Sequence, residues 1–170
     1  MSTTVTYYQL AITGNLRVLD NLAHLLDKAT AHATANKIEE RALLDARLFP
    51  DMFPLVRQIR MVCDMSRNHA AWLTGKEAPQ FGDTETSFAD FKTRIANSIA
   101  YLQTFQDSDF AASAEREVRL PWSPDKAYRG EVFLLQHSIP NLYFHLTTAY
   151  NILRHNGVPV GKADFLGAIG

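Results

Sequence analysis

Three polar residues fall at four-residue steps near the end of the chain: His137, Asn141 and His145. On a helix, residues four apart share a face, so the three form one polar line through an apolar segment. Two neighbours on that line converge on one point. All three do not, because eight residues span roughly 12 Å along the axis. An imidazole pair at this step is how several zinc enzymes present two ligands. Here the middle member is an asparagine, a ligand better suited to harder ions. A neutral imidazole with an ordinary pKa near neutrality also suits proton transfer without a metal. The plain alternative is a hydrogen-bonded core histidine, with Tyr143, Thr147, Thr148 and Tyr150 as nearby partners.

An earlier apolar segment carries Gln58 and His69, eleven residues apart on one face. That separation is some 16 Å on a helix, so only one of them joins any site built on His145. The sequence has no HExxH, no CxxC and no acidic pair at ligand spacing. Cys63, the single cysteine, excludes an intramolecular disulfide and a cysteine-based zinc site, and reads as a small buried hydrophobe. His24 and His32 read as partly exposed. Arg47, Asp51 and Arg57 cluster at a helix start. They read as an Arg–Asp pair tying down a connector or, more sharply, as an anion or carboxylate site. The segment "NGVPVGKADFLG" lacks the spacing of a phosphate-binding loop.

These residues need elements to carry them, and helical periodicity dominates. Tyr8, Ile12, Leu16, Leu19, Ala23, Leu26 and Ala33 predict one long amphipathic helix from about Val5 to Ala35, with His24 and Leu25 beside the stripe. Residues 38–48 predict a short helix or a turn-rich connector, stopped by Pro50. Asp51 is the expected N-cap of a second helix running from about Met52 to Leu73, with Gly75 as its stop. Ser87 and Asp90 form a capping-box pattern for a third helix along Phe88, Phe91, Ile95, Ile99 and Leu102. The alternation Val118, Leu120, Trp122 predicts a short extended segment, followed by a loop to Gly130. The fourth helix runs from about Glu131 to Gly157, kinked or restarted at Pro140. The tail "VPVGKADFLGAIG" is expected to pack back on the bundle or on a second subunit. Residues 1–170 thus predict a single all-α domain, a four-helix bundle with decorations, in which sites form where polar residues interrupt apolar stripes.

Composition narrows the function classes. Hydrophobic residues make up 46% and charged residues 21% of the 170, which suits a globular chain, and the net charge of −1 gives no electrostatic case for nucleic acid or an anionic membrane. The first ten residues lack a basic segment followed by an apolar one, and no apolar run reaches transmembrane length. A soluble, cytoplasmic protein is expected.

Two stretches, "ARLFPDMFPLVRQI" and "PNLYFHLTTAYNILRHNGVPVGKADFLG", covering about a quarter of the chain, resemble an uncharacterised bacterial and fungal family of unknown function within the DinB/YfiT-like superfamily. The resemblance implies a four-helix bundle, usually a homodimer. Typical members hold a divalent metal, Zn or Ni, with one histidine on the second helix and an HxxxH pair on the fourth. Some are thiol-dependent transferases or isomerases. With Arg154 and Gly157 as anchors, the second histidine of the pair falls on His145 and the first on Asn141. The second-helix histidine falls near Gln58, and Leu146 stands where an arginine is usual. The expected site is therefore a polar pocket between helices. In it His145 is the catalytic base or metal ligand, Gln58 and Asn141 are metal ligands or substrate-orienting groups, and His69 and His137 line the pocket for a small molecule. The alternative is a non-catalytic dimeric scaffold or ligand-binding bundle that has lost the metal.

Overall fold

The computed structural model describes residues 4–168. Four helices form the bundle: α1 (Gly14–Asn36), α3 (Leu55–Thr74), α4 (Phe88–Leu102) and α6 (Ile139–His155). Short helices α2 (Glu40–Leu44), α5 (Gly130–Phe133) and α7 (Lys162–Leu166) decorate it, with a hairpin of β1 (Glu117–Leu120) and β2 (Ser123–Arg129). α3 packs on α6 and α4, and α1 packs on α4. This is the predicted bundle with its connector helix.

In α1 the buried face is wider than the predicted stripe. Leu22 and Leu25 are fully buried with Leu19 and Leu26, whereas Leu16 and Ala23 are half-buried. A helix that touches α3, α4 and α6 must bury more than a narrow seam. A π-helical turn, Gln9–Thr13, precedes it.

α3 starts later than predicted, at Leu55. Its N-cap is Pro54, in extended conformation, and no side chain caps it. Asp51 is not the cap. The proline ring keeps Phe53 out of helical conformation, so the helix cannot begin before it. Arg47 does tie the connector down, but through the carbonyls of Pro50 and Met52 at 3.2 Å rather than through Asp51. α4 carries the expected capping box, Ser87 Oγ accepting from Asp90 N–H and Asp90 Oδ2 from Ser87 N–H.

The extended segment is the first half of an antiparallel hairpin. The residues read as a loop up to Gly130 form β2. Its side chains are nearly all exposed, so it has no apolar alternation to betray it. The fourth helix is interrupted by a π-helical turn at Leu134–Ser138, where the N–H of Ile139 reaches back five residues to the carbonyl of Leu134. Pro140 follows this turn directly within one continuous helix, so the widened π turn is where the ladder accommodates the hydrogen bond its ring cannot donate. Gly157 ends α6 at φ +86, with Gly157 N–H on Arg154 O and Val158 N–H on Leu153 O, the paired bonds of a Schellman motif.

The tail packs back on α1. Arg17 holds the Leu166 carbonyl at 2.7 and 3.1 Å, and Asn21 holds that of Phe165 at 2.9 Å. Asp164 accepts from Lys28 at 2.9 Å, lies 2.8 Å from His24, and accepts the Gly161 N–H at 2.7 Å. Hydrogen bonds from Lys28, His24 and Gly161 hold its carboxyl well below the usual carboxylate range. A depressed carboxylate pKa contributes stability above the unfolded value of about 3.9 and loses it as pH falls toward the folded one. Amide protection factors across residues 161–166 are therefore expected to be high at pH 6 and to fall below pH ~4, more steeply than in the bundle helices. Asp164→Asn should show low protection factors at both pH values, and protection equal to that of the wild type would refute the latch.

Candidate functional site

The sequence-predicted residues separate into two clusters along the antiparallel contact of α3 with α6. At one end, His145 is buried and its Nδ1 lies 2.7 Å from Gln58 Oε1. Gln58 Nε2 in turn donates to the Phe53 carbonyl at 3.1 Å. That second bond decides the first. Only the NH₂ end of a carboxamide donates to a carbonyl, so Gln58 presents its oxygen to His145, and Nδ1 must carry the imidazole proton. Nε2 is left with its lone pair, without a hydrogen bond among the described residues, and is not sealed from the surface. Burial pushes the His145 pKa below its ordinary value, which keeps the ring neutral at pH 7. Phe53 stacks near parallel to the ring at 6.5 Å and Phe144 meets it edge-on at 5.2 Å. Both phenyl rings are exposed on their outer sides. Asn141, one turn before His145, is half-buried and makes no hydrogen bond among the described residues.

At the other end, His69 Nδ1 is 2.7 Å from Ser138 Oγ, and its ring lies 6.0 Å from that of His137. Burial, with a smaller push from His137, takes the His69 pKa down to about 3. Trp72, Trp122 and Phe133 pack around the pair. His137 Nε2 is buried without a partner, held there by the π-helical turn. The structure thus brings Gln58 to His145 and His69 to His137. It does not gather all of them into one pocket.

Sequence reasoning missed Phe53 and Phe144, because exposed aromatics beside a polar residue carry no periodic signal. It also missed a charged cluster at the α3–α4 contact. Arg94 and Arg67 are buried there against Asp64 and Glu85. The signal was present: Arg94 falls one turn after Phe91 and beside Ile95, on the apolar face. A cleft of about 620 Å³ opens beside it, lined by Gln80, Phe81, Thr93 and Asn97 among others. Its acidic groups are already engaged, Glu85 with Arg94 and Asp90 with the α4 cap. Cys63 is fully buried, and burial pushes its thiol up to about 12, so it is inert at neutral pH.

Residues 7–166 match a family described as a domain of unknown function, DUF1993. The chain belongs to this family. It is similar to a DinB family member protein from Shewanella denitrificans, known from its crystal structure. The two are 44% identical over 95% of this chain and 92% of that one, with a TM-score of 0.92. No curated protein matches. The predicted DinB-like bundle of an uncharacterised family is borne out, and no helix among the described residues is long and apolar enough to cross a membrane.

For this DUF1993 chain the DinB resemblance implies a divalent ion held by three histidines. The donors present do not fit such a centre. Only His145 supplies an imidazole among the three positions. Gln58 spends its oxygen on His145 Nδ1 and its amide on Phe53, so using it as a ligand would break the bonds that orient His145. Among the described residues no three His, Cys, Asp or Glu side chains lie close enough to hold a metal ion.

Proposed function

We propose that the His145 site binds a small organic molecule and exchanges a proton with it at Nε2, with no resident metal required. The observation that carries this reading is the relay Phe53 carbonyl, Gln58 carboxamide, His145 Nδ1–H, which fixes one tautomer. A neutral imidazole with Nε2 outward accepts a proton from an O–H, N–H or S–H of a bound molecule. The imidazolium so formed keeps its Nδ1–H on Gln58, and burial favours return of the proton. A thiol is the substrate class that the DinB resemblance favours. Asn141 orients the ligand, and Phe53 and Phe144 supply its apolar contacts. The His69–His137 cluster is assigned to packing, since the low pKa of His69 makes it a weak base.

Nitrogen-15 NMR of the histidine rings tests the reading. At pH 7, His145 is expected as the neutral Nδ1–H form with an apparent pKa below 6.5, and Gln58→Leu should mix the tautomers. Finding the Nε2–H form or a charged ring at pH 7 would overturn the proton-accepting role. Titration with Zn²⁺ and Ni²⁺ tests the metal-free part. Sub-millimolar binding that His145→Gln abolishes would replace it with a metal site.

A further inference from the structure

We infer that the ligand of the His145 site carries a carboxylate, held by Arg57 at the amino end of α3, with its apolar body against Phe53 and Phe144. The inference rests on the reading of His145 as a ligand-facing imidazole. Three observations converge. First, α3 is 20 residues long, and its amino end has neither a capping side chain nor an acidic residue in the first turn; the Ala46 carbonyl takes the Leu55 N–H, and the N–H groups of Arg57 and Gln58 turn back on the Pro54 carbonyl. Such an end favours negative charge. Second, His145 lies against that turn through Gln58. It is only 6% exposed, yet its Nε2 has no partner among the described residues. Third, the Arg57 guanidinium sits 4.0 Å from the centre of the Phe53 ring, the ring that stacks with His145.

The Arg57 side chain makes no hydrogen bond or ion pair among the described residues, while its backbone N–H bonds the Pro54 carbonyl. Its neighbours differ. Arg47 is spent on the carbonyls of Pro50 and Met52, and Arg60 on Glu85. Asp51, the acid closest in sequence, pairs with neither arginine. Resting on Phe53 orients the planar fork and lowers the ordering cost of a two-pronged grip on a carboxylate. Asn141 adds an amide donor on the α6 side. The carboxylate would thus rest on Arg57 and the Asn141 amide, while the rest of the ligand lies on the two phenyl rings and faces His145 Nε2.

The test compares phenylacetate with phenylacetamide, which share shape but not charge, by following the His145 ring signals on titration. Phenylacetate is expected to bind at least tenfold more tightly than the amide. Arg57→Gln should erase the difference, and Arg57→Lys should retain part of it. Equal binding of the two probes, an undiminished difference in Arg57→Gln, or no response of His145 to millimolar phenylacetate would each overturn the inference. Displacement of phenylacetate by a lower concentration of inorganic phosphate would reassign the anion as phosphate and overturn the carboxylate. The ligand-free tautomer is measured on the same sample, so a failure of the proton-accepting reading is seen separately.

Discussion

Arg94→Met is expected to cost about 1.5–3 kcal/mol of stability, because it removes the charged hydrogen bonds to Asp64 and Glu85 and leaves these half-buried carboxylates to Arg67 and Arg60 alone. Arg94 is 3% exposed on α4. It holds Asp64 Oδ1 at 2.7 Å, Glu85 Oε1 at 2.5 Å and the Gly82 carbonyl at 2.9 Å. Arg67 also grips Asp64 and the Pro79 carbonyl, with its guanidinium 3.8 Å from the centre of the Phe81 ring. The pair therefore fastens the whole 76–87 segment across α3 and α4. Burial alone would raise the Glu85 carboxyl, but hydrogen bonds from Arg94 and Arg60 outweigh it and hold the carboxyl below its usual range. Its stabilising contribution is present at neutral pH and lost as pH falls below the unfolded value. In urea, Arg94→Met should unfold at a lower midpoint with an unchanged slope, and its amides at 76–87 should exchange faster. Arg94→Lys should recover only part of the loss, since one ammonium cannot reproduce the fork. A loss under about 1 kcal/mol for the methionine variant would show that the pairs are no better than surface ones.

Gly130→Ala is the second large effect. Gly130 joins the hairpin to α5, and its φ is not in the left-handed region, so space rather than conformational freedom demands glycine here. A Cβ there would lie 1.8 Å from the Ser113 carbonyl oxygen and 3.3 Å from Leu73 Cδ2. Neither yields easily. Ser113 is fixed by its own bond to the Leu73 carbonyl at 2.7 Å, and Glu131 N–H is bonded to Ala114 O at 3.2 Å. The clash must push the hairpin off α3, at a cost of about 3 kcal/mol or more, the upper end for overpacking. Trp122, 64% exposed at the hairpin turn, rests on Trp72 with ring centres 6.0 Å apart. A displaced hairpin separates them, so the tryptophan emission should change together with the loss of thermal stability. Wild-type emission and melting in Gly130→Ala would refute this close-approach account.

The bundle was legible because its helices obey one physical rule, an apolar face at helical period. Ser87 with Asp90 and Gly157 marked their ends by local chemistry. The start of α3 was misread because aspartate is a good cap in general, while the restriction that Pro54 places on Phe53 is specific to that dipeptide. Strand β2 was invisible because an exposed strand has no pattern to display. For the site, the resemblance placed Gln58 opposite His145, and their contact exists in the fold. The tautomer was not legible, because it depends on Phe53, a backbone carbonyl five residues upstream of Gln58. The division of His69 and His137 from His145 followed only partly from spacing. Distance along α3 separated His69 from Gln58, but which face His137 shows depends on the π-helical turn.

That turn makes the two ends of the fourth helix separable by a one-residue deletion. Removing any one residue from Leu134–Ser138 would restore ordinary helical winding. The α5 segment and the hairpin would rotate by about 100° and shift by about 1.5 Å relative to α6. His137, α5 and the hairpin would lose their register on Trp72 and His69, while His145, downstream of the change, would keep its contact with Gln58 on α3. A deletion there is thus a single genetic step that rewrites the aromatic end of the molecule and leaves the His145 end untouched.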